Sequence, residues 1–241
     1  MLTLELSSLC KNFPQSQFQL GPLTLHLEEG DSLALFGKNG AGKSTLFQLL
    51  TGHLRPDSGK IQVFGETLKV DAFALKRRMG YLPQNLDLPR WVSGFDIITY
   101  AIKLHGLQPI ETLRSSVLDY WDCQEFAHKP LAACSYGMQK RIALALASLH
   151  QPDLLILDEP FSGLDLYHIR ALENLLEQRR GKQLTIVSTH VAAYAAKLSN
   201  KAATMRNGQL AELQTWPTAD FMARIELMEG QFFMPGSEEK A

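Results

Sequence analysis

Hydrophobic residues form short continuous runs in the body of the chain and alternate with polar residues near its N-terminus. The continuous runs SLALF, LLIL and LTIV occupy residues 32–36, 154–157 and 184–187. Runs of this kind are typical of strands buried on both faces of a parallel sheet. Each run ends in a polar segment, and these segments are expected to converge on one crevice beyond the carboxyl ends of the strands.

Other parts of the chain show different patterns. LTLEL, LTLHL and KIQVFG alternate apolar and polar residues, which predicts a small N-terminal antiparallel β subdomain. Between Pro89 and Pro130 the spacing is helical, and Ser93 with Asp96 resembles a capping box. A second helix is predicted over residues 111–121. The predicted fold class is therefore α/β, with a mostly parallel buried sheet, a small antiparallel sheet and a helical lobe.

The segment GKNGAGKST, residues 37–45, lies between the first continuous run and the helical run LFQLLTG. It fits G-x-x-x-x-G-K-S, a P-loop whose backbone N–H groups wrap phosphates, with Lys43 on the β- and γ-phosphates and the Ser44 hydroxyl on Mg²⁺. A Gly-rich turn without a ligand is the alternative, and the strand-loop-helix context favours a nucleoside triphosphate. The candidate nucleotide-binding residues of the loop are Gly37, Asn39, Gly40, Ala41, Gly42, Lys43, Ser44 and Thr45.

The other two continuous runs end in candidate catalytic groups. Asp158 and Glu159 close LLIL, and adjacent carboxylates at a strand end are costly unless a cation or other group compensates. Asp158 can hold Mg²⁺ through water, and Glu159 can act as the general base or orient the attacking water. His190 follows LTIVST and could hydrogen-bond the γ-phosphate and the region of Glu159, although a lone histidine is more often structural.

The stretch CSYGMQKR, residues 134–141, opens a helix on Ser-Tyr-Gly. Read locally, Ser135 is an N-cap, and the aliphatic residues that follow form a core-facing stripe. The same helix start offers backbone N–H groups and a hydroxyl to an anion, which the local pattern leaves open.

Composition narrows the possible partners. The chain has 24 Lys and Arg against 25 Asp and Glu, so no global field attracts nucleic acid, and no nucleic-acid partner is expected. Cys10, Cys123 and Cys134 are widely spaced, which indicates neither a disulfide framework nor a zinc site and fits a reducing cytoplasm. No apolar run approaches the roughly 20 residues of a membrane-spanning helix. We expect a chain that is soluble by itself and reaches a membrane only through a partner.

Six segments follow one another along the chain: Phe13, residues 37–45, Gln84 in YLPQN, Ser135-Tyr136-Gly137, LLILDEP with SGLD, and His190. In these segments, and over roughly residues 2–210, the chain resembles an ATP-binding-cassette (ABC) ATPase. Together and in the family's order the six segments are highly specific.

The resemblance implies a role for each matched residue. Phe13 would stack on adenine, with a core position in the small sheet as the alternative. Gln84 would reach Mg²⁺ or the attacking water, with an ordinary exposed loop glutamine as the alternative. Ser135 and Gly137 would contact the γ-phosphate held by a second copy in a head-to-tail dimer, and Asp165 in SGLD would lie at that interface.

The resemblance also implies ATP and Mg²⁺ as cofactors, with Ser44, Gln84 and Asp158 as metal ligands. ATP hydrolysis would power a transporter through separate integral membrane permease subunits, placing the chain on the cytoplasmic face of the membrane. A soluble ATP-dependent regulatory module of the same class is the alternative. The aromatic residues Trp91, Phe95 and Tyr100 would dock a membrane subunit or belong to the core.

The signature sequence and the predicted domain boundaries complete the comparison with the family. The family's common signature is Leu-Ser-Gly-Gly-Gln, whereas this chain has Cys134, Tyr136 and Met138 at the first, third and fifth places, a form that resembles exporter cassettes. The predicted organisation is an ABC ATPase domain at residues 1–211, with its helical lobe at about 88–150, and a tail at residues 212–241 whose end is disordered.

Overall fold

The computed structural model describes residues 2–16, 18–211, 213–216 and 220–233. The predicted disordered end lies largely outside these ranges, and the division near residue 211 stays a prediction. The strands are β1 Leu2–Phe13, β2 Phe18–Glu28, β3 Ser32–Phe36, β4 Ser58–Val63, β5 Glu66–Thr67, β6 Met79–Leu82, β7 Leu154–Leu157, β8 Leu184–Thr189, β9 Lys201–Arg206, β10 Gln209–Leu210 and β11 Gln214–Thr215. The helices are α1 Lys43–Leu50, α2 Phe73–Lys76, α3 Gly94–Leu104, α4 Ile110–Tyr120, α5 Tyr136–Ser148, α6 Leu166–Arg179, α7 Ala192–Leu198 and α8 Phe221–Phe233.

The larger sheet has the order β10-β9-β3-β8-β7-β6, with β11 paired to β9. Its strands β9, β3, β8, β7 and β6 run parallel. Every residue of β3, β7 and β8 is buried, because α1 and the strands β1 and β2 pack on one face of the sheet and helices cover the other. The prediction of three buried parallel strands is confirmed, and their carboxyl ends carry the phosphate loop, the two carboxylates and His190.

The smaller sheet is antiparallel, in the order β2-β1-β4-β5. Its alternating sequence places one face on the core: Leu23, Leu25 and Leu27 of β2 are buried while the residues between them are exposed. The predicted antiparallel subdomain is therefore confirmed, and it holds the hairpin between β1 and β2 beside the phosphate loop.

The helical lobe consists of α3, α4 and the start of α5, and its apolar side chains share one core with those of β6, β7 and β8. Ser93 caps α3 as its sequence predicts, accepting a hydrogen bond from the Asp96 N–H at 3.0 Å. Ile98, Trp121 and Ile142 are buried together in this core. Within the described ranges no helix is both long and apolar enough to cross a membrane.

Candidate active site

The phosphate loop connects β3 to α1, and the side chain of Lys43 makes hydrogen bonds with the backbone of the same loop. The Lys43 side chain is buried, and its Nζ donates hydrogen bonds to the carbonyl oxygens of Gly37 at 2.6 Å and Lys38 at 3.3 Å. The same Nζ lies 3.5 Å from Oε1 of Glu159. The lysine thus joins the loop to the end of β7, so both strand ends meet at one cation.

A cavity of about 460 Å³ opens over the loop. Phe13 lies on its wall, half-buried, with its ring centroid 6.0 Å from that of Phe18. Gln84 is exposed, and its Oε1 accepts a hydrogen bond from the Ser44 hydroxyl at 3.3 Å. The residues that line the cavity are Phe13, Ser16, Phe18, Lys38, Asn39, Gly40, Ala41, Gly42, Lys43, Ser44, Thr45 and Gln84.

Phe18 is a wall residue that the sequence analysis missed. It is the direct cross-strand partner of Phe13 in the β1–β2 hairpin, and its ring end would lie 3.0 Å from a Cβ at Gly42. An aromatic residue five positions after Phe13, across a turn, was the available signal. The two rings together give the cavity one apolar wall beside its polar loop.

The two carboxylates at the end of β7 are buried and only partly satisfied. Oδ1 of Asp158 accepts a hydrogen bond from the Ser188 hydroxyl, and Oε2 of Glu159 lies 3.0 Å from Nδ1 of His190. Within the described part of the chain, Oδ2 of Asp158 and Oε1 of Glu159 have no hydrogen-bond partner. Two buried acceptor atoms at the end of β7 therefore lack a hydrogen bond, which is the arrangement expected where a cation or water binds.

Compensation for these carboxylates comes from three directions. His190 contacts Glu159 from the end of β8, and Lys43 contacts it from the phosphate loop. The third group, Lys140 of α5, is fully buried and donates to the backbone oxygen of Glu159 at 2.8 Å. Lys140 and Ser188 were not predicted as site residues, because nothing in the local pattern of α5 or β8 indicates a contact with β7.

Ser135 and Gly137 lie at the start of α5, away from the cavity wall of their own chain. The Ser135 hydroxyl accepts a hydrogen bond from the Met138 N–H at 3.3 Å, so the predicted N-cap is confirmed. A Cβ at Gly137 would come within 3.1 Å of the Gly163 carbonyl oxygen. Neither residue belongs to the cavity lining given by the described residues.

Asp165 caps α6. Its carboxylate accepts hydrogen bonds from the backbone N–H of His168 at 3.0 Å and from Nδ1 of the same residue at 2.7 Å. The backbone hydrogen bond first, and then that of the imidazole, lower the pKa of Asp165. The other ring nitrogen, Nε2, lies 2.9 Å from Nη1 of Arg141 on α5, so the SGLD loop and α5 are joined within one chain.

Comparison with known proteins identifies the family of this chain. The model of the ABC transporter family matches residues 20–162, more than half of the 241-residue chain. An uncharacterized ABC transporter ATP-binding protein, YxlF, of Bacillus subtilis is 34% identical over 86% of this chain and 69% of its own length.

Two solved structures share the fold. One, described as the ATP-binding subunit of an ABC transporter, has a TM-score of 0.83 and 26% identity, over 94% of this chain and 99% of its own. The other is the ATP-binding cassette MJ0796, a dimer in a post-hydrolysis state with ADP and Pi. Its TM-score is 0.79 at 19% identity, over 88% of this chain and 98% of its own, so it bears on the fold alone. With its phosphate loop, paired carboxylates and histidine in place, this chain belongs to the ABC transporter family as an ATP-binding subunit that hydrolyses ATP.

Proposed function

We propose that this chain hydrolyses ATP in a Mg²⁺-dependent reaction at a site shared between two copies, and thereby powers transport through separate integral membrane subunits. The observation that carries the proposal is the position of the Glu159 carboxylate. One of its oxygens lies 3.0 Å from His190 and the other 3.5 Å from the phosphate-loop Lys43. The candidate base thus adjoins both the loop that binds phosphate and a second polar side chain.

ATP would occupy the cavity over the phosphate loop. Phe13 and Phe18 form the apolar wall on which adenine would stack, and the loop N–H groups would surround the phosphates. Lys43, which now donates to Gly37 and Lys38, has a natural anionic partner in the β- and γ-phosphates. The residues nearest the phosphates are therefore supplied by β3 and α1.

The donor set also fits Mg²⁺. Ser44 Oγ and Gln84 Oε1 lie 3.3 Å apart, and Oδ2 of Asp158 is a buried carboxylate oxygen without a hydrogen bond among the described residues. Hard oxygen donors of this kind suit Mg²⁺, with Asp158 acting directly or through water. When bound, the ion would supply positive charge against the phosphate oxygens.

Hydrolysis needs a water in line with the leaving oxygen and a group that takes its proton. Oε1 of Glu159 makes no hydrogen bond among the described residues and lies 3.5 Å from Nζ of Lys43, so it would accept that proton while Oε2 stays on His190. His190 is 58% exposed in its side chain and can therefore reach the γ-phosphate without disturbing the core. Glu159 is assigned the base, and His190 orients it.

The second copy would complete the site. Ser135 and Gly137 stand outside the cavity of their own chain, at the positive N-terminal end of α5, where they can meet the γ-phosphate bound by a partner. Near them, Leu166 is 71% and Tyr167 67% exposed. Large apolar side chains exposed at this point, directly after Asp165, support a head-to-tail interface that buries them.

A membrane subunit would dock on the helical lobe. A cavity of about 590 Å³ lies between the lobe and the larger sheet, with Tyr81, Leu86, Leu88 and Leu146 in its wall. Trp91 is exposed, as is Tyr100, whereas Phe95 packs between His128 and Arg114. The cavity also has Gln48, His53, Asn85 and Asp87 in its wall, so this amphipathic surface and the exposed Trp91 favour a docked partner segment. The chain would then lie peripherally on the cytoplasmic face of the membrane, and export remains the direction that the Tyr136 and Met138 signature favours.

Two measurements test the proposal. ATP turnover by the purified chain should stop with EDTA and return with Mg²⁺. Affinity purification from detergent-solubilised membranes should recover a polytopic protein with the unmodified chain and with Phe73→Ala, but less of it with Trp91→Ala. Phe73 is the matched control because it is 74% exposed, against 83% for Trp91, and lies on α2. Recovery of only soluble partners would overturn the membrane role and support the regulatory alternative.

A further inference from the structure

Lys140 is a fully buried lysine with a specific partner. Its side chain has no exposed surface, and its Nζ donates to the backbone oxygen of Glu159 at 2.8 Å. Lysine is rarely buried to this extent, because removing an ammonium group from water is costly. A lysine kept at such a position is expected to do more than fill space.

The backbone of Glu159 is in a conformation that needs support. Its φ is 46°, in the left-handed region that non-glycine residues seldom adopt. Side chains from two other elements hold both of its polar groups: the N–H donates to the Ser188 hydroxyl at 2.8 Å, and the oxygen accepts from Lys140. Ser188 belongs to β8 and Lys140 to α5, so the strained residue is clamped between a strand and a helix.

Groups around Lys140 oppose the effect of burial and favour its charged ammonium form. Burial lowers its pKa to about 8, while the carboxylates of Glu159 and Asp158 oppose that shift. The ring of Tyr136 lies 5.8 Å from Nζ on the same helix. Carboxylates at the end of β7 and an aromatic face on α5 therefore both favour the ammonium form at this position.

We propose that Lys140 is a positioning residue for hydrolysis, which fixes the backbone of Glu159 so that its carboxylate faces the attacking water. The inference rests on the proposed function, because it takes Glu159 as the base. It adds a link between sites: α5 carries Ser135, which would cap the partner's ATP, and Lys140, which holds the base for the chain's own ATP. Contact with γ-phosphate at one site thereby affects the base at the other.

The test compares Lys140→Met, which keeps an unbranched side chain one atom shorter and removes the donor, with Lys140→Arg, which retains the cation. Lys140→Met should lower kcat for ATP about 10- to 100-fold, the scale expected for a displaced catalytic group. KM should stay within about two-fold, because the nucleotide contacts are intact. Lys140→Arg should recover most of kcat, and Lys182→Met, at an exposed lysine, should change neither constant.

A second comparison covers the case in which Lys140→Met does not fold. Lys140→Gln is neutral and one bond shorter, so its kcat should lie at least about five-fold below that of Lys140→Arg at equal KM. Equal turnover in the two variants, or wild-type kcat in a folded Lys140→Met, would overturn the proposal.

Combination with Glu159→Gln separates this proposal from the function on which it rests. If Lys140 acts through Glu159, Lys140→Met should reduce turnover little further in the Glu159→Gln background. Full turnover by Glu159→Gln alone would remove the assigned base, whereas loss of turnover there with normal kcat in Lys140→Met would reject the positioning role only.

Discussion

The hydroxyl of Tyr136 donates a hydrogen bond to the backbone oxygen of Gln84 at 3.2 Å. Tyr136 stands third in the signature stretch, where the family's common form has glycine, and Gln84 lies on the wall of the nucleotide cavity. The departure from the common signature thus creates a contact within the chain, between the start of α5 and the loop after β6. Gly163 completes the arrangement, because a Cβ there would come within 2.8 Å of the Tyr136 ring.

Replacing Tyr136 with phenylalanine should remove this hydrogen bond alone. Because the side chain is 47% exposed, the free energy of unfolding should fall by only about 0.5 kcal/mol. The KM for ATP should be unchanged, since the aromatic ring remains and the proposed contacts of Ser135 and Gly137 with the partner's ATP do not involve the hydroxyl. Urea unfolding and steady-state kinetics measure both, and a ten-fold rise in KM would show that the hydroxyl serves the nucleotide directly.

Gly163→Ala should destabilise the chain through two separate causes. The φ of Gly163 is +76°, which costs alanine about 1 kcal/mol, and the new methyl group also displaces the Tyr136 ring. Gly181→Ala is the matched control, because its φ is +70° and nothing lies within 4 Å of its Cβ. Thermal unfolding should show a larger loss for Gly163→Ala, and the excess should vanish in a Tyr136→Ala background. Equal losses in both glycine variants would contradict the contact.

Stability should fall between about pH 6.5 and pH 4 because of His150. Burial first, then the neighbouring His105, lower its pKa from 6.5 to about 4, while its hydrogen bond to the Met79 carbonyl opposes the shift. In that window the unfolded chain binds a proton at His150 that the folded chain does not. The free energy of unfolding therefore decreases progressively as the pH falls. The stacking of His150 on His105, with centroids 4.0 Å apart, has the same requirement for neutral rings.

The corresponding measurement is the Tm at pH 7 and pH 5 for the unmodified chain, His150→Asn and His26→Asn. The drop in Tm on acidification should be smaller in His150→Asn. His26 is exposed on β2, and its replacement should leave the drop as it was. A drop of the same size in all three proteins would show that His150 does not cause the loss of stability at low pH.

Contacts between residues close in sequence could be predicted, whereas contacts between distant residues could not. Local rules sufficed for the buried strand β7, whose LLIL run is continuous, and for the caps Ser93 and Ser135, whose acceptor and donor lie three residues apart. The contact of Lys140 with Glu159 spans 19 residues, and that of Tyr136 with Gln84 spans 52. Such pairs depend on how α5 packs against the sheet, which no periodicity encodes.

The phosphate loop and the strand ends form an intermediate case. Their motifs are local, and the rule that parallel strands share one functional edge correctly predicted that Lys43, Glu159 and His190 would meet. The rule gives no distances and no partners from outside the motifs. Phe18, Ser188 and Lys140 reach the site through tertiary packing, so only the structure identifies them.

Glu159→Gln keeps the side-chain shape and removes the basic oxygen of the proposed base, at a site that a second copy would complete. ATP turnover should fall about 100-fold or more, and with ATP present the variant should run on gel filtration as a dimer that reverts to monomer when ATP is removed. Turnover at the wild-type rate, with no ATP-dependent dimer, would show that Glu159 is not the base and that no second copy completes the site.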